Sequence, residues 1–596
     1  MALDGITLNL VCRELNNLLA GGRIDKIHQP EKEEVVLQVR NQGQNHRLVL
    51  SAHPDNARLH PTKEPKQNPL TPPMFCMVLR KYLEGGKITE FAQWGLERVI
   101  SLKVQGSDEL GRRQEYQLLL EIMGKHSNII LLDPGANIIL DGIKRYTHAV
   151  SRHREVLPGR PYIAPPSQGK HSPLELGEDE FRGLLLASPL ESRISQAVLK
   201  KLDGFSPELC RELVVRAGLD QDAILEQCGE YELVRLWQSL QELLSPLRGA
   251  PYRPTLVREK SSLGQAVTFS YTQLSQYHGL DQEPYEYLSL ALDAFYTARR
   301  AQGRLRSQRS SLLRLLQAEL DRLGKKLALQ EEAINSGRDA VKYKKWGELI
   351  TANLYQIKQG QAEAEVVDYY EPECTPVKIS LDPGLTPNEN AQAYFRLYNK
   401  GKSGIEATEP LRRQTLEEIV YLESVKTSLE NSLSTAELAE IRQELVEQGY
   451  LKDKGRPGKK DKAERPQPMR FLSSSGALIL VGKNNKQNDF LTLKLAKPRD
   501  MWLHVKDIPG SHVVVPLDKE EFPDDTTLEE AAALAAYYSQ ARGSSTVPVD
   551  YTHVRNVKKP GGAKPGMVIY ENQYTLYIDP DPALPERLAQ ADSDSV

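Results

Sequence analysis

Asp500-Met-Trp-Leu-His-Val-Lys-Asp-Ile-Pro-Gly-Ser-His-Val-Val-Val-Pro516 organises the C-terminal part of this 596-residue chain. Trp502, Leu503, His504, Val505 and Lys506 alternate in character, which predicts a strand with two unlike faces. Ile508-Pro509-Gly510 supplies a turn, because proline pre-sets φ and glycine tolerates positive φ. Val513 to Val515 then return as a second strand. Trp502, His504, Lys506, Asp507, Ser511 and His512 crowd this one hairpin. Lysine and aspartate avoid full burial unless paired, so the hairpin is expected to be more than sheet core.

Two flanking segments have the same chemistry. Upstream, Gly482-Lys-Asn-Asn-Lys-Gln-Asn-Asp489 is expected to be a polar turn rich in side-chain amides, with Lys483, Asn484 and Asn485 as its candidates. Downstream, Lys558-Lys-Pro-Gly-Gly-Ala-Lys-Pro-Gly566 is a basic loop that exposes backbone and presents Lys558, Lys559 and Lys564. Amides, backbone N–H groups and lysines are the groups that hold a phosphate backbone. Their clustering within residues 482–566 predicts one nucleic-acid surface.

Working outward, strands Met469–Leu472 and Leu478–Val481, helices Phe490–Leu495 and Leu528–Ala541, and strands 547–554 and 567–571 complete an α+β domain over 469–575, with a tail at 576–596. Before it lies a linker, 451–468; Lys452 to Arg465 alone carries seven basic and three acidic residues with Pro and Gly. Residues 285–450 read as a long antiparallel coiled-coil arm. Leu305, Leu312, Leu316, Leu320, Leu323, Leu327 and Ile334 form one seam, and Asn335-Ser-Gly337 is expected to interrupt it. A second helix over 340–358, a hairpin (Val366–Tyr370 with Val377–Leu381), and a return helix from Asn388 follow. Some 45 helical residues give an arm of about 70 Å. Ser434-Thr-Ala-Glu437 is a capping box that opens one more helix.

Residues 171–284 read as short helices at Asp179–Leu186, Glu191–Leu199 and Pro207–Ala217, then extended chain over 251–275. Leu202-Asp-Gly-Phe-Ser-Pro207 resembles the turn of a helix-hairpin-helix, with Ser206 as N-cap and Pro207 in the first turn. Residues 1–170 combine a helix (Asp4–Leu19), a second helix (Met74–Leu83) and repeated strands, an α+β sandwich. Three polar connections there are candidate sites: Glu97-Arg98, Gly124-Lys125-His126-Ser-Asn128, and the His/Arg-rich run Tyr146 to Arg154 with Arg152 and Arg154. Arginine suits bidentate phosphate contact.

Hydrophobic residues make up 40% and charged residues 26%, as expected of globular protein. The formal net charge of −3 excludes a globally basic nucleic-acid binder, so any such binding needs local patches. Five cysteines without a C-x-x-C pair argue against zinc ribbons and disulfide frameworks, and for a reducing, cytoplasmic setting. No apolar run is long enough to span a membrane, and the start has no basic, then apolar, leader pattern. His504, His512 and His553 lack a metal-ligand spacing, and Ser511 does not sit in a nucleophile elbow. No catalytic nucleophile, metal or cofactor is expected.

The three C-terminal segments resemble the RNA-binding domain of the NFACT family, in its bacterial RqcH-type, fibronectin-binding-protein-A-like branch. Leu381-Asp-Pro-Gly-Leu-Thr-Pro-Asn-Glu-Asn-Ala391 and Tyr394-Phe-Arg-Leu-Tyr-Asn-Lys400 are similar to the family's middle domain. The N-terminal connections are similar to its first domain, so the resemblance covers nearly the whole chain. It implies a multidomain α+β fold whose N-terminal domain is like that of formamidopyrimidine-type DNA glycosylases. Those enzymes attack through an N-terminal proline; position 2 here is Ala2, so base excision is not expected. The resemblance implies a cytoplasmic ribosome-associated quality-control factor. Its partners would be large ribosomal subunits carrying peptidyl-tRNA, rRNA, and tRNA (alanyl-tRNA above all), recruited for template-free tailing of nascent chains. It places tRNA engagement at an Asp-Arg pair; this chain has Glu97-Arg98, the carboxylate set back by one methylene. Lys125, His126, Arg152 and Arg154 would extend that site. The alternative is the older family description, a surface adhesin for fibronectin or fibrinogen, which the missing leader disfavours.

Overall fold

The computed structural model describes residues 3–107, 111–148, 153–260, 264–372, 374–452, 467–518 and 522–588. The chain divides into two compact units, Met1–Gln302 and Gly303–Val596.

In the first unit, α1 (Gly5–Leu19) is capped by Asp4, whose carboxylate accepts the Thr7 N–H at 2.8 Å. Its Ile6, Leu8, Val11, Leu15 and Leu19 recur at helical spacing and are buried. The strands are β1 (Arg23–Glu31), β2 (Glu34–Asn41), β3 (Gln44–Ser51) and β4 (Arg58–Pro61). After α2 (Met74–Leu83) come β5 (Lys87–Gln93), β6 (Val99–Ser107), β7 (Arg113–Glu121), β8 (Asn128–Asp133) and β9 (Ile138–Gly142). Among the described residues they form one antiparallel sheet of order β4-β3-β2-β1-β5-β6-β7-β8-β9. The two meanders meet at β1 and β5, where the strand pairing is confined to Arg23 and Lys87, and the Gly21–Gly22 turn exchanges backbone hydrogen bonds with Ile88 and the Gly85–Gly86 turn with Ile24.

The helical region contains α3 (Glu178–Leu186), α4 (Ile194–Lys201), α5 (Pro207–Arg216) and α6 (Glu230–Leu244). Ser206 Oγ accepts the Leu209 N–H at 3.2 Å, so the cap expected for α5 is present. Helix α6 was not expected, although Leu233, Leu236, Leu240, Leu243 and Leu244 are the buried positions of a plain amphipathic pattern. A small sheet follows, β11-β10-β12, from β10 (Thr255–Arg258), β11 (Ala266–Ser270) and β12 (Asp281–Pro284). One core runs from Leu3 through this region to Tyr296 in the first turns of α7 (Leu288–Asp339), so residues 171–284 share the core of the sheet.

In the second unit, α7 continues without a break through Asn335-Ser-Gly337, against the expected interruption. The glycine serves close packing there. A methyl group at Gly337 would lie 2.6 Å from Ile405 Cγ1, and one at Gly401 would lie 2.5 Å from Ala340 Cβ. The helix breaks at Ala340, before α8 (Val341–Ala352). A hairpin of β13 (Glu363–Val367) and β14 (Pro376–Ser380) follows, then α9 (Pro387–Asn431) and α10 (Thr435–Glu447). Leu312, Leu316 and Leu323 of α7 pack with Tyr421, Leu422, Val425 and Leu429 of α9 and with Leu438, Ile441 and Leu445 of α10.

The C-terminal domain is built from β15 (Met469–Leu472), β16 (Leu478–Val481), α11 (Asn485–Phe490), β17 (Met501–Val505), β18 (Val513–Val515), α12 (Asp525–Tyr537), β19 (Val547–His553), β20 (Val557–Lys558), β21 (Ile569–Tyr570) and β22 (Tyr574–Ile578). Its main antiparallel sheet has the order β15-β16-β18-β17-β19-β22. The hairpin from Asp500 to Pro516 is its centre: Met501 pairs with Val515 and Leu503 with Val513. Met501, Leu503 and Val505 pack with the alanines of α12. Trp502 packs in a separate cluster with Leu480, Leu491, Val514 and Val557. The two faces are unlike, as the alternation predicts, but both are covered. The segment expected as a tail from residue 576 joins the fold, through β22 and through Leu584 and Leu588 in the core. Among the described residues, no helix is long and apolar enough to cross a membrane.

Candidate nucleic-acid interface

The three C-terminal segments converge. The segment expected as a turn at 482–489 is mostly α11, because Asn484 accepts the Gln487 N–H at 2.9 Å and caps a helix. Asn488 on α11 ties it to the hairpin: its Oδ1 accepts the His512 N–H at 3.1 Å and its Nδ2 donates to Gly510 O at 3.4 Å. The Gly482 N–H donates to His512 O at 3.0 Å. Any side chain at Gly482 would block this, since a methyl group would lie 2.1 Å from Asn488 Oδ1. The basic loop closes on the same helix, with the Gly566 N–H donating to Asp489 Oδ1 at 3.0 Å and Lys559 paired to Asp489.

The aromatic centre of the hairpin is structural. Trp502 is fully buried, with His504 stacked on it at 5.7 Å, His512 edge-on at 5.3 Å and Tyr570 at 4.9 Å. His512 Nδ1 shares a hydrogen with Thr492 Oγ1 at 2.7 Å. Burial pushes the His504 imidazole down to about 4, and burial beside His504 pushes His512 well below the usual range. Both rings are therefore neutral at physiological pH. Among the described residues, no His, Cys, Asp and Glu group is placed to hold a metal ion.

Burial corrects the sequence-derived site. Asn484, Asn485, Trp502, Ser511 and His512 are buried and cannot touch a ligand directly in this arrangement. The pattern of amides and rings is legible in sequence, but burial depends on what packs over them. Lys506, Asp507 and Lys558 are exposed, and His504 is partly so. Asp507 holds a left-handed φ of 54°, which fixes the turn tip. Lys483, Lys559 and Lys564 are partly exposed, and each has an acceptor: Glu437, Asp489 and Gln448 respectively. Sequence reasoning missed Lys486, Gln487 and Asn488, and the carboxylates of α10 that face them.

In the first unit, Glu97 and Arg98 lead into β6. Gln93 Nε2 donates to both Gly5 O and Glu97 O at 2.9 Å, which pins this turn to the start of α1. Arg98 O accepts the Ile122 N–H at 2.9 Å, so the pair lies beside the Gly124–His126 turn, where Lys125 and His126 are exposed. These four residues thus gather at one end of β6 and β7. Burial raises the Glu97 carboxyl, Asp203 adds to the rise, and Arg98 and Lys170 oppose it. Lys170 and Asp203, whose charges act on Glu97, were not found by sequence reading; they come from the segments before α3 and after α4.

Arg154 is not part of an open rim. It is buried, holds Glu121 through both terminal nitrogens, one at 2.7 Å, and donates to Ile163 O at 2.8 Å. Tyr162 O–H donates to the same carboxylate at 2.7 Å. A buried carboxylate needs such partners, and β7 supplies one at Glu121. Arg152 and Ala2 lie outside the described residues.

A glycine-joined sheet with a helical region, a helical arm, and a C-terminal domain that gathers lysines and amides define a multidomain protein of the NFACT type. Residues 4–464 match the model of the NFACT N-terminal and middle domains, and residues 467–572 that of the NFACT protein RNA binding domain. The chain belongs to the NFACT family. It is 40% identical over 582 residues, 98% of each chain, to the Rqc2 homolog RqcH of Bacillus subtilis (strain 168). It is 36% identical over 584 residues, again 98% of each chain, to the Rqc2 homolog RqcH of Streptococcus pneumoniae serotype 2. The crystal structure of the fibrinogen binding protein from Staphylococcus aureus is 32% identical, with a TM-score of 0.42, covering 50% of this chain and 99% of that one.

Proposed function

We propose that this protein is a ribosome-associated quality-control factor. It binds large ribosomal subunits that still carry peptidyl-tRNA, and recruits tRNA, alanyl-tRNA foremost, for template-free C-terminal tailing that marks the nascent chain for degradation. The observation that carries this reading is the end-to-end similarity to RqcH relatives, 98% of both chains, with an RNA-binding domain at residues 467–572.

The chain's own geometry supports a positioning role. Arg98 offers a partly exposed guanidinium beside the exposed Lys125 and His126, a polar, basic group of donors suited to the tRNA backbone. Glu97 sits within reach of the Arg98 and Lys170 charges, which oppose the rise that burial and Asp203 cause in its pKa. Lys506 and Lys558 offer exposed charge to rRNA on the C-terminal domain. Peptide-bond chemistry stays with the ribosome's peptidyl-transferase centre; the protein contributes proximity and orientation. Its setting is cytoplasmic.

The test is capture of the tagged protein from a lysate with sequencing of bound RNA, wild type against Arg98→Ala. Large-subunit rRNA plus one enriched tRNA, with the tRNA lost in the variant, supports the reading. Enrichment of neither RNA removes it and returns the adhesin reading.

A further inference from the structure

Helix α10 presents a row of acceptors to the C-terminal domain, and every partner in that row is a donor. Glu437 Oε1 takes Lys483 Nζ at 3.1 Å. Glu440 Oε2 takes Asn484 Nδ2 at 2.7 Å and Gln487 Nε2 at 2.8 Å. Glu444 Oε1 takes Asn485 Nδ2 at 3.2 Å, Glu447 Oε2 takes Lys486 Nζ at 2.8 Å, and Gln448 Oε1 takes Lys564 Nζ at 3.1 Å. The carboxylates fall at positions 437, 440, 444 and 447, one stripe of a helix and about 15 Å long at 1.5 Å per residue. The neighbouring stripe, Leu438, Ile441 and Leu445, is apolar and packs on α7 and α9.

The polarity of this contact is one-way. Lysine ammonium groups and side-chain amides, presented together from a helix start and a basic loop, are what a protein uses to grip phosphates. Here they grip four carboxylates of the same chain. The two ends of the contact are open to solvent. Lys483 and Lys486 remain 29% exposed and Glu447 49% exposed, so water and salt reach the ion pairs there. Exposed ion pairs of this kind are individually weak and screened by salt. Its centre is buried: Asn485 on Glu444, and Asn484 and Gln487 on Glu440, are each at most 3% exposed.

We propose that the acidic stripe of α10 occupies an RNA-phosphate surface of the C-terminal domain formed by Lys483, Asn484, Lys486, Gln487 and Lys564, and that RNA and α10 compete for it. The competitor is an RNA backbone, which replaces the carboxylate row by a phosphate row. This rests on the reading of the C-terminal domain as RNA-binding. It also explains why Lys483, Asn484, Asn485 and Lys564, which the sequence singles out as ligand-binding, are engaged by α10: the structure holds the occupied state. The apparent affinity of a surface that is free only part of the time is lowered by the free fraction, so weakening the internal occupant raises affinity without a new RNA contact.

The experiment measures binding of a fluorescent 20-nucleotide single-stranded RNA to the full chain by anisotropy over a salt series. The variant Glu437→Gln/Glu440→Gln/Glu447→Gln keeps shape and hydrogen-bond acceptors while removing the charge, and leaves Glu444 in place. It is expected to bind on the order of tenfold more tightly, with a steeper salt dependence as more lysines meet phosphate. The control Glu406→Gln/Glu409→Gln/Glu417→Gln removes equal charge from the middle of α9, and is expected to change affinity by less than about twofold. Adding Lys483→Gln/Lys486→Gln to the α10 variant is expected to abolish its gain. A gain equal in both triple variants, or one that survives the lysine substitutions, overturns the proposal. If the triple variant unfolds on a thermal melt, Glu447→Gln alone carries the test with a gain of about twofold to threefold. Absence of RNA binding by wild type and every variant removes the RNA-binding reading itself; wild-type binding with no gain in the variant removes only the competition.

Discussion

Glu444 makes the junction between α10 and the C-terminal domain sensitive to pH. Its side chain is buried (the residue is 1% exposed) and its carboxylate accepts the Tyr421 O–H at 2.8 Å and the Asn485 side-chain amide Nδ2 at 3.2 Å. Burial raises its pKa from 4.5 to about 7; the Tyr421 and Asn485 hydrogen bonds and the Lys486 charge pull it down, and Asp489 pushes it up. Unfolding returns the group to 4.5. Between 4.5 and about 7, the folded state keeps a proton that the unfolded state has lost. The stabilisation from this group is therefore fully present below about pH 4.5, declines as pH rises through the window, and is gone above about 7. The displacement corresponds to about 3 kcal/mol. Glu444→Gln retains an acceptor oxygen for Tyr421 and Asn485 but cannot ionise. Its local stability is expected to be flat from pH 5 to 8 and to exceed wild type at pH 8 by about 1–3 kcal/mol. The assay is amide hydrogen exchange over Thr435–Glu447, corrected for the intrinsic pH dependence of exchange. A local measurement is needed because a multidomain chain does not unfold as two states. The same pH slope in wild type and variant would refute the reasoning, since the slope would then arise from other groups.

Other substitutions separate structural from ligand-contacting residues. Arg154→Ala leaves Glu121 buried with one cation fewer and is expected to cost about 3–5 kcal/mol by denaturation, with tRNA enrichment per folded molecule unchanged. Gly482→Ala drives a methyl group into Asn488 and is expected to cost about 2–4 kcal/mol, read as faster exchange in β17 and β18. Gly401→Ala forces α7 and α9 apart at Ala340. Despite the better helix propensity of alanine, it is expected to destabilise the arm by about 1–2 kcal/mol, read by protease nicking.

The elements that repeat locally were legible in the sequence. The Asp500–Pro516 hairpin, the leucine seam of α7 and the Ser206 cap follow from spacing and side-chain chemistry, and the capping box expected at Ser434 forms by half: Ser434 caps α10, while Glu437 reaches back to the Leu433 N–H. What depends on partners distant in sequence was not. Gly337 looks like a helix breaker until Gly401 is seen to press against α7 just beyond it. Trp502 and His512 look like a binding surface until Leu491, Thr492 and Tyr570 are seen to cover them. Arg154 looks like a free cation in a His/Arg-rich run, and only β7 explains its burial, by supplying Glu121. The stripe on α10 is visible as glutamates at 437, 440, 444 and 447, but which side of the helix meets the donors of α11 is a tertiary fact. The Glu97–Arg98 cluster was half found: Lys125 and His126 lie near it in the turn after β7, whereas Lys170 and Asp203 act on it from the segments before α3 and after α4.

The most direct test of the central claim is mass spectrometry of nascent chains from purified large subunits that carry peptidyl-tRNA, incubated with aminoacylated tRNA and the protein. The account predicts non-templated residues, alanine foremost, added to the nascent C-terminus with wild type, and their loss with Arg98→Ala, while subunit binding persists. Bound wild-type protein with no extension of the nascent chain would contradict it.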